Sequence, residues 1–226
     1  MRTNELDKHF NKWMKEAMIS PEFFHKDGII DEPLWNKAKP RICFLMKEPN
    51  NPEGKAFDFR EWWRDEPIKG GFSARVAEWS RGMIEDFPPY DELWRTNDER
   101  DIREIRKSIA LVNVKKTGGE GLSEYKPFML EAFGANSEEQ GTSTARVLDQ
   151  IDIIDPQVII LGLSWESLRQ LLFPDVEWKP TGCGIDVGTW KRRRLIDFYH
   201  PSAKNAPPAS YALLEKVWRS DVFKSL

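Results

Sequence analysis

The chain has 226 residues, 40% hydrophobic and 31% charged, with a formal net charge of −3. This is the balance of an ordinary soluble globular protein with enough chain for a substantial core, and the acidic sign argues against indiscriminate nucleic-acid binding. Two cysteines, Cys43 and Cys183, exclude a disulfide scaffold, a four-cysteine zinc site and an iron–sulfur cluster. No run approaches the length of a membrane span and the first residues are charged, so a cytoplasmic protein without a membrane segment is expected.

Residues 5–18 space Leu6, Phe10, Trp13, Met14 and Ala17 along one helical face. Residues 23–39 read as irregular, with a turn at Asp27-Gly28. Arg41-Ile42-Cys43-Phe44-Leu45-Met46 is a continuous apolar run of strand length, halted by Lys47-Glu48-Pro49-Asn50. Residues 55–65 read as a loop carrying Phe57, Phe59, Trp62 and Trp63. Residues 72–87 repeat apolar groups at helical spacing, and an acidic first turn at 97–100 opens another helix.

A second buried strand spans 108–114 and ends at Lys115-Lys116, a pair that reads as solvated. Residues 118–141 read as a surface excursion and 142–154 as a helix. The third strand is 157–162, after which Ser164 is the expected N-cap of a helix reaching Phe173. Residues 174–190 read as a loop with room for a short strand. The fourth strand, 195–199, delivers His200 and is stopped by Pro201; a last helix covers 207–218 with proline at its start.

Apolar strands separated by helices predict an α/β fold, three layers in α/β/α order around a mostly parallel four-stranded sheet. One domain is expected for 1–226, with 1–39 packed on it as a helical extension. Ligands of such sheets bind beyond the carboxyl ends of the strands, and three strands carry Glu48, Asn113 and His200 there. A carboxylate can orient water and offset an oxocarbenium-like sugar, while a histidine can donate to a leaving base that becomes anionic. A fixed amide offers a donor beside an acceptor, matching the O4 and N3–H of uracil and mismatching cytosine.

In order along the chain, Ile42-Cys43-Phe44-Leu45-Met46-Lys47-Glu48-Pro49-Asn50, Ala110-Leu111-Val112-Asn113-Val114, Val158-Ile159-Ile160-Leu161-Gly162 and Tyr199-His200-Pro201-Ser202 resemble the motifs of the uracil-DNA glycosylase superfamily. The resemblance runs from about Arg41 to the end. It implies hydrolysis of the N-glycosidic bond of uracil or another damaged base flipped out of DNA, without metal or cofactor, by a chain expected to be monomeric. Glu48 then resembles the acid that orients water and His200 the residue that supports the leaving base. Asn113 reads the base, Phe57 or Phe59 forms the aromatic floor, and Asn50 stands where the best-known branch has a tyrosine. Met46-Lys47 replaces the usual Gly-Gln. Ser202, Lys204, Lys191, Arg192 and Arg194 are the expected DNA contacts. The alternatives are a nucleic-acid or nucleotide-binding module of the same fold without catalysis, and a hydrolase of free or modified nucleosides.

Overall fold

Every residue of the run Ile42–Met46 is buried, as expected of a strand covered on both faces. A computed structural model describes residues 1–52, 54–65, 67–68, 70–95, 102–119 and 123–226. The helix start expected at 97–100 lies outside them.

In chain order the elements are α1 (Arg2–Glu16), β1 (Gly28–Ile29), α2 (Glu32–Lys37), β2 (Ile42–Met46), α3 (Phe59–Asp65), α4 (Gly70–Ile84), a 3-10 turn at Tyr90–Glu92, and α5 (Ile102–Ile105). They continue with β3 (Ala110–Asn113), α6 (Tyr125–Phe133), α7 (Ser137–Ile154), β4 (Val158–Gly162), α8 (Glu166–Leu172) and β5 (Lys179–Pro180). The chain finishes with β6 (Asp186–Trp190), β7 (Arg193–Asp197), α9 (Pro207–Arg219) and α10 (Asp221–Lys224).

The class is α/β. The four expected strands lie side by side and parallel as β3-β2-β4-β7, with Phe44 opposite both Leu111 and Ile160. The sheet is nevertheless seven-stranded, in the order β1-β3-β2-β4-β7-β6-β5, because antiparallel strands are added at both edges. β1 and β5 are two residues long and β6 has only Val187 and Gly188 buried, so they lack the continuous apolar signature of a central strand.

Period-two alternation divides the core. Ile42, Phe44 and Met46 face a cluster with Trp63, Trp79 and Leu214, from α3, α4 and α9. Cys43 and Leu45 face Leu6, Phe10, Trp35, Ile151 and Leu168, from α1, α2, α7 and α8. Helices therefore cover both sides of the sheet.

Several boundaries differ from expectation. Asp27-Gly28 is not a free turn but the entry to β1. Residues 32–37 form α2, capped by the Asp31 side chain accepting from Leu34 N–H at 2.9 Å. Part of the 55–65 loop is α3. The 118–141 excursion contains α6 and the first turn of α7, where Asn136 caps Glu138 and Glu139. Trp165, not Ser164, precedes α8, and Ser164 adopts φ 66°. Strand β7 ends at Asp197, so His200 sits in the loop beyond it. Among the described residues, no helix is long and apolar enough to cross a membrane.

Candidate active site

The chain leaves β2 toward β3 on one side and returns past β2 to β4 on the other. That reversal is the switch in strand order at which sheets of this kind take ligands. At the carboxyl ends of β2 and β4, a Cβ on Gly162 would lie 3.5 Å from both His200 Cδ2 and Met46 Cγ. The three connections thus converge on one point.

A cavity of about 340 Å³ opens there, lined by Met46, Glu48, Pro49, Asn50, Phe57, Phe59, Trp62, Phe72, Ser73, Asn113, His200 and Ser202. It falls within the roughly 300–1,000 Å³ of small-ligand sites. Glu48, Asn113, His200, Phe57, Phe59, Asn50 and Ser202 are therefore brought together from separate parts of the chain.

Backbone pairing continues past the ends of β2 and β3: Val114 N–H donates to Met46 O and Lys115 N–H to Lys47 O, each at 2.8 Å. This register sets Lys115 against Glu48, with Lys115 Nζ 2.7 Å from Glu48 Oε2 and 2.6 Å from Glu131 Oε2. Ser123 Oγ–H donates to Glu48 Oε1. Both carboxylate oxygens thus hold one donor, and each keeps a second lone pair for water. The backbone of Gly119 passes so close that a Cβ there would meet Glu48 Oε2 at 2.2 Å. Burial works against the Lys115 ammonium, but its bonds to Glu131 and Glu48 outweigh burial and raise its pKa.

Asn113 ends β3 and is 3% exposed. Its backbone N–H donates to Asp27 Oδ2 at 2.7 Å and its Nδ2 to the same oxygen at 3.3 Å. Lys116 Nζ lies 2.7 Å from Asp27 Oδ1, and burial lowers the Lys116 pKa against the pull of that carboxylate. The solvated reading of Lys115-Lys116 is thus overturned: both are buried and paired, because β3 carries them inward.

His200 is half-buried, and Ser202 N–H donates to its Nδ1 at 3.1 Å. An accepting Nδ1 leaves Nε2 as the protonated donor of the neutral ring. Burial first, and the Lys47 charge second, push the His200 pKa down to about 4. Its ring lies 5.8 Å from that of Phe72 at 31°. Ala203 N–H donates to His200 O at 2.8 Å. Arg75, on α4, donates to Asn205 O and Ser210 Oγ, each at 3.0 Å. These bonds fix the loop after the histidine.

The aromatic wall is Phe57 and Phe59, stacked at 5.7 Å and 28°, continued by Trp62 at 5.3 Å from Phe59. His25 packs edge-on against Phe57 at 4.8 Å. Trp62, 43% exposed, stands at the lip. Neither Trp62 nor Phe72 was expected at the site; their helical neighbours Trp63 and Val76 are plain core, and composition alone does not separate the two roles. Lys47 lies over the Trp165 ring at 4.2 Å, and burial lowers its pKa.

The expected phosphate contacts divide. Lys204 is exposed in the loop behind Ser202. Lys191, Arg192 and Arg194 are not at the cavity. Lys191 and Arg192 lie in the turn before β7 and Arg194 near its amino end, separated from Asp197 at its carboxyl end by about 10 Å of strand for Arg194 and more for the other two. There Lys191 pairs with Asp152, Arg192 with Asp155 at 2.6 Å, and Arg194 lies over Phe223 at 4.7 Å. Among the described residues, no group of three or more His, Cys, Asp or Glu is placed to hold a metal ion.

No protein-family model matches this chain, and no curated protein matches it in sequence.

Proposed function

We propose that the chain is a DNA glycosylase-like hydrolase that cleaves the N-glycosidic bond of uracil or another damaged base taken out of the DNA stack. The observation that carries this reading is the convergence of Glu48, Asn113 and His200, from three strand ends, on one aromatic-walled cavity. A flipped base needs a pocket, a stacking wall and edge-reading polar groups.

The base enters with one face along Phe57 and Phe59. Asn113 hydrogen-bonds its edge, and His200 Nε2–H donates to the carbonyl where negative charge collects. As the sugar–base bond breaks, its electron pair leaves with the base, and the anion is held by His200 until it takes a proton from solvent on release. A neutral imidazole suits this task, since its Nε2–H gives the hydrogen bond without the ring first taking up a proton from solvent. Water held by the spare lone pairs of Glu48 adds to the sugar carbon. The carboxylate offsets the positive charge on the ring, and the proton of the water passes through Glu48 to solvent.

The test is single-turnover release of base from oligonucleotides carrying uracil, hypoxanthine, xanthine or mismatched thymine. Release from at least one, abolished by Asn113→Ala, is expected; no release from any of them overturns the reading.

The bonds of Glu48 to Lys115 and Ser123 favour one alternative, a module of this fold that binds the base without cutting. Saturable binding of uracil-containing oligonucleotide with no free base, even at high protein, would establish that alternative.

A further inference from the structure

Asn113 is gripped by a carboxylate from the opposite side of the cavity wall. Asp27 is 0% exposed, as is Gln150. Its Oδ2 accepts from Asn113 N–H at 2.7 Å and Asn113 Nδ2 at 3.3 Å, and its Oδ1 accepts from Gln150 Nε2 at 2.7 Å. Lys116 Nζ donates to both Asp27 oxygens at 2.7 and 2.8 Å and to Asn113 O at 2.6 Å. Gly28, at φ 123°, lets the chain turn into β1 while Asp27 faces inward.

A carboxylate neutralised by an ammonium accepts hydrogen bonds and has none to give. Turning the Asn113 amide by 180° would set its Oδ1 against Asp27 Oδ2, two acceptors face to face inside the protein. The amide is therefore held with Nδ2 toward Asp27, and its Oδ1 and second Nδ2 hydrogen remain for a ligand. Resting on the reading of Asn113 as the group that meets the base, we propose that Asp27 is a specificity-determining positioning residue. It locks the amide so that it pairs with an imide edge, a carbonyl beside a ring N–H, and mismatches an amidine edge, an amino group beside a bare ring nitrogen. Uracil has the first edge and cytosine the second. A freely turning amide would serve either.

Removing Asp27 alone leaves the Lys116 ammonium buried without a counter-charge, so the decisive variant is Asp27→Leu with Lys116→Met, which removes both charges at similar shape. Asn at 27 would not serve, because the Asn113 backbone N–H would hold its amide oxygen in place of Asp27 Oδ2; Leu takes the acceptor away and frees the Asn113 amide to turn. Binding of free uracil and free cytosine is followed by NMR titration, with melting to establish folding and base release from oligonucleotide measured in parallel.

Wild-type protein is expected to prefer uracil at least tenfold. In the double variant the ratio falls at least fivefold, chiefly through a gain in cytosine binding, whereas general loosening would weaken both. An unchanged ratio in the folded variant, or no preference in the wild type, including no binding of either base, overturns the proposal. If the double variant does not fold, the wild-type Asn113 Nδ2 protons decide, assigned by their loss in Asn113→Ala. Hydrogen exchange slowed at least tenfold relative to exposed amides supports the lock, and exchange at the exposed rate overturns it. Selective uracil binding without base release would remove the hydrolase reading and leave the positioning role intact.

Discussion

Lys115 Nζ stands 2.7 Å from Glu48 Oε2, and the two side chains are only 7% and 6% exposed. The acid at the end of β2 is thus a paired charge, and its neighbour on β3 sets its position. Glu48→Gln keeps the shape, leaves Lys115 bonded to Glu131, and removes the charge that, on the proposed reading, offsets the sugar. Base release is expected to fall by about 10²-fold, within the usual range for losing an acid–base group, while the melting temperature changes little. Lys115→Met does the reverse: it strands a buried carboxylate and is expected to cost about 3–5 kcal/mol in denaturant unfolding.

Histidine 200 makes a pH prediction. With its pKa at about 4, the ring is neutral and donating from about pH 5 upward, so base release should show no acid limb near the ordinary 6.5. As pH falls from 6.5 toward 4 the unfolded chain takes up the proton first, and stability is lost across that window. His200→Ala is expected to cut base release at least tenfold and to flatten that part of the stability profile. A rate that halves near pH 6.5 in the wild type would contradict the assigned protonation state.

Gly119 is required by proximity. A methyl group there would meet Glu48 Oε2 at 2.2 Å, so Gly119→Ala must displace the carboxylate or the loop. Overpacking of this kind costs about 1–3 kcal/mol. A loss of base release larger than the loss of stability explains, read by single-turnover assay beside thermal melting, is the expected outcome.

The exposed chemistry divides by location. Lys204→Ala is expected to weaken oligonucleotide binding and to lower the slope of log affinity against log salt by about one. Arg192→Ala, at the far end of β7, is expected to leave both unchanged. Trp62→Ala at the cavity lip should cost about 1–3 kcal/mol of single-strand affinity, the range for losing one base–aromatic stack.

Three of the four parallel strands, β2, β3 and β4, were legible because continuous burial on both faces leaves apolar runs, while β7 was found two residues late through Leu195 to Tyr199; Glu48, Asn113 and His200 were legible because each ends or follows such a run. Asp27 was not. Its neighbours Lys26 and Gly28 give the composition of a surface turn, and only the antiparallel docking of β1 beside β3 brings it beneath Asn113. The burial of Lys116 was hidden for the same reason, since its partner lies 89 positions away. Position along a strand misled where direction matters: Arg192 and Arg194 share a segment with His200, yet occupy the opposite end of the sheet.

On the proposed reading one cavity breaks a sugar–base bond, with Asn113 and His200 acting on the base. This reading is tested most directly by quantifying free uracil, by mass spectrometry, from a uracil-containing oligonucleotide under single-turnover conditions. Wild-type protein is expected to liberate uracil, with Asn113→Ala and His200→Ala each at least tenfold slower and still folded. Free uracil released at the same rate by all three would contradict the account, as would no base released by wild-type protein from uracil, hypoxanthine, xanthine or mismatched-thymine substrates.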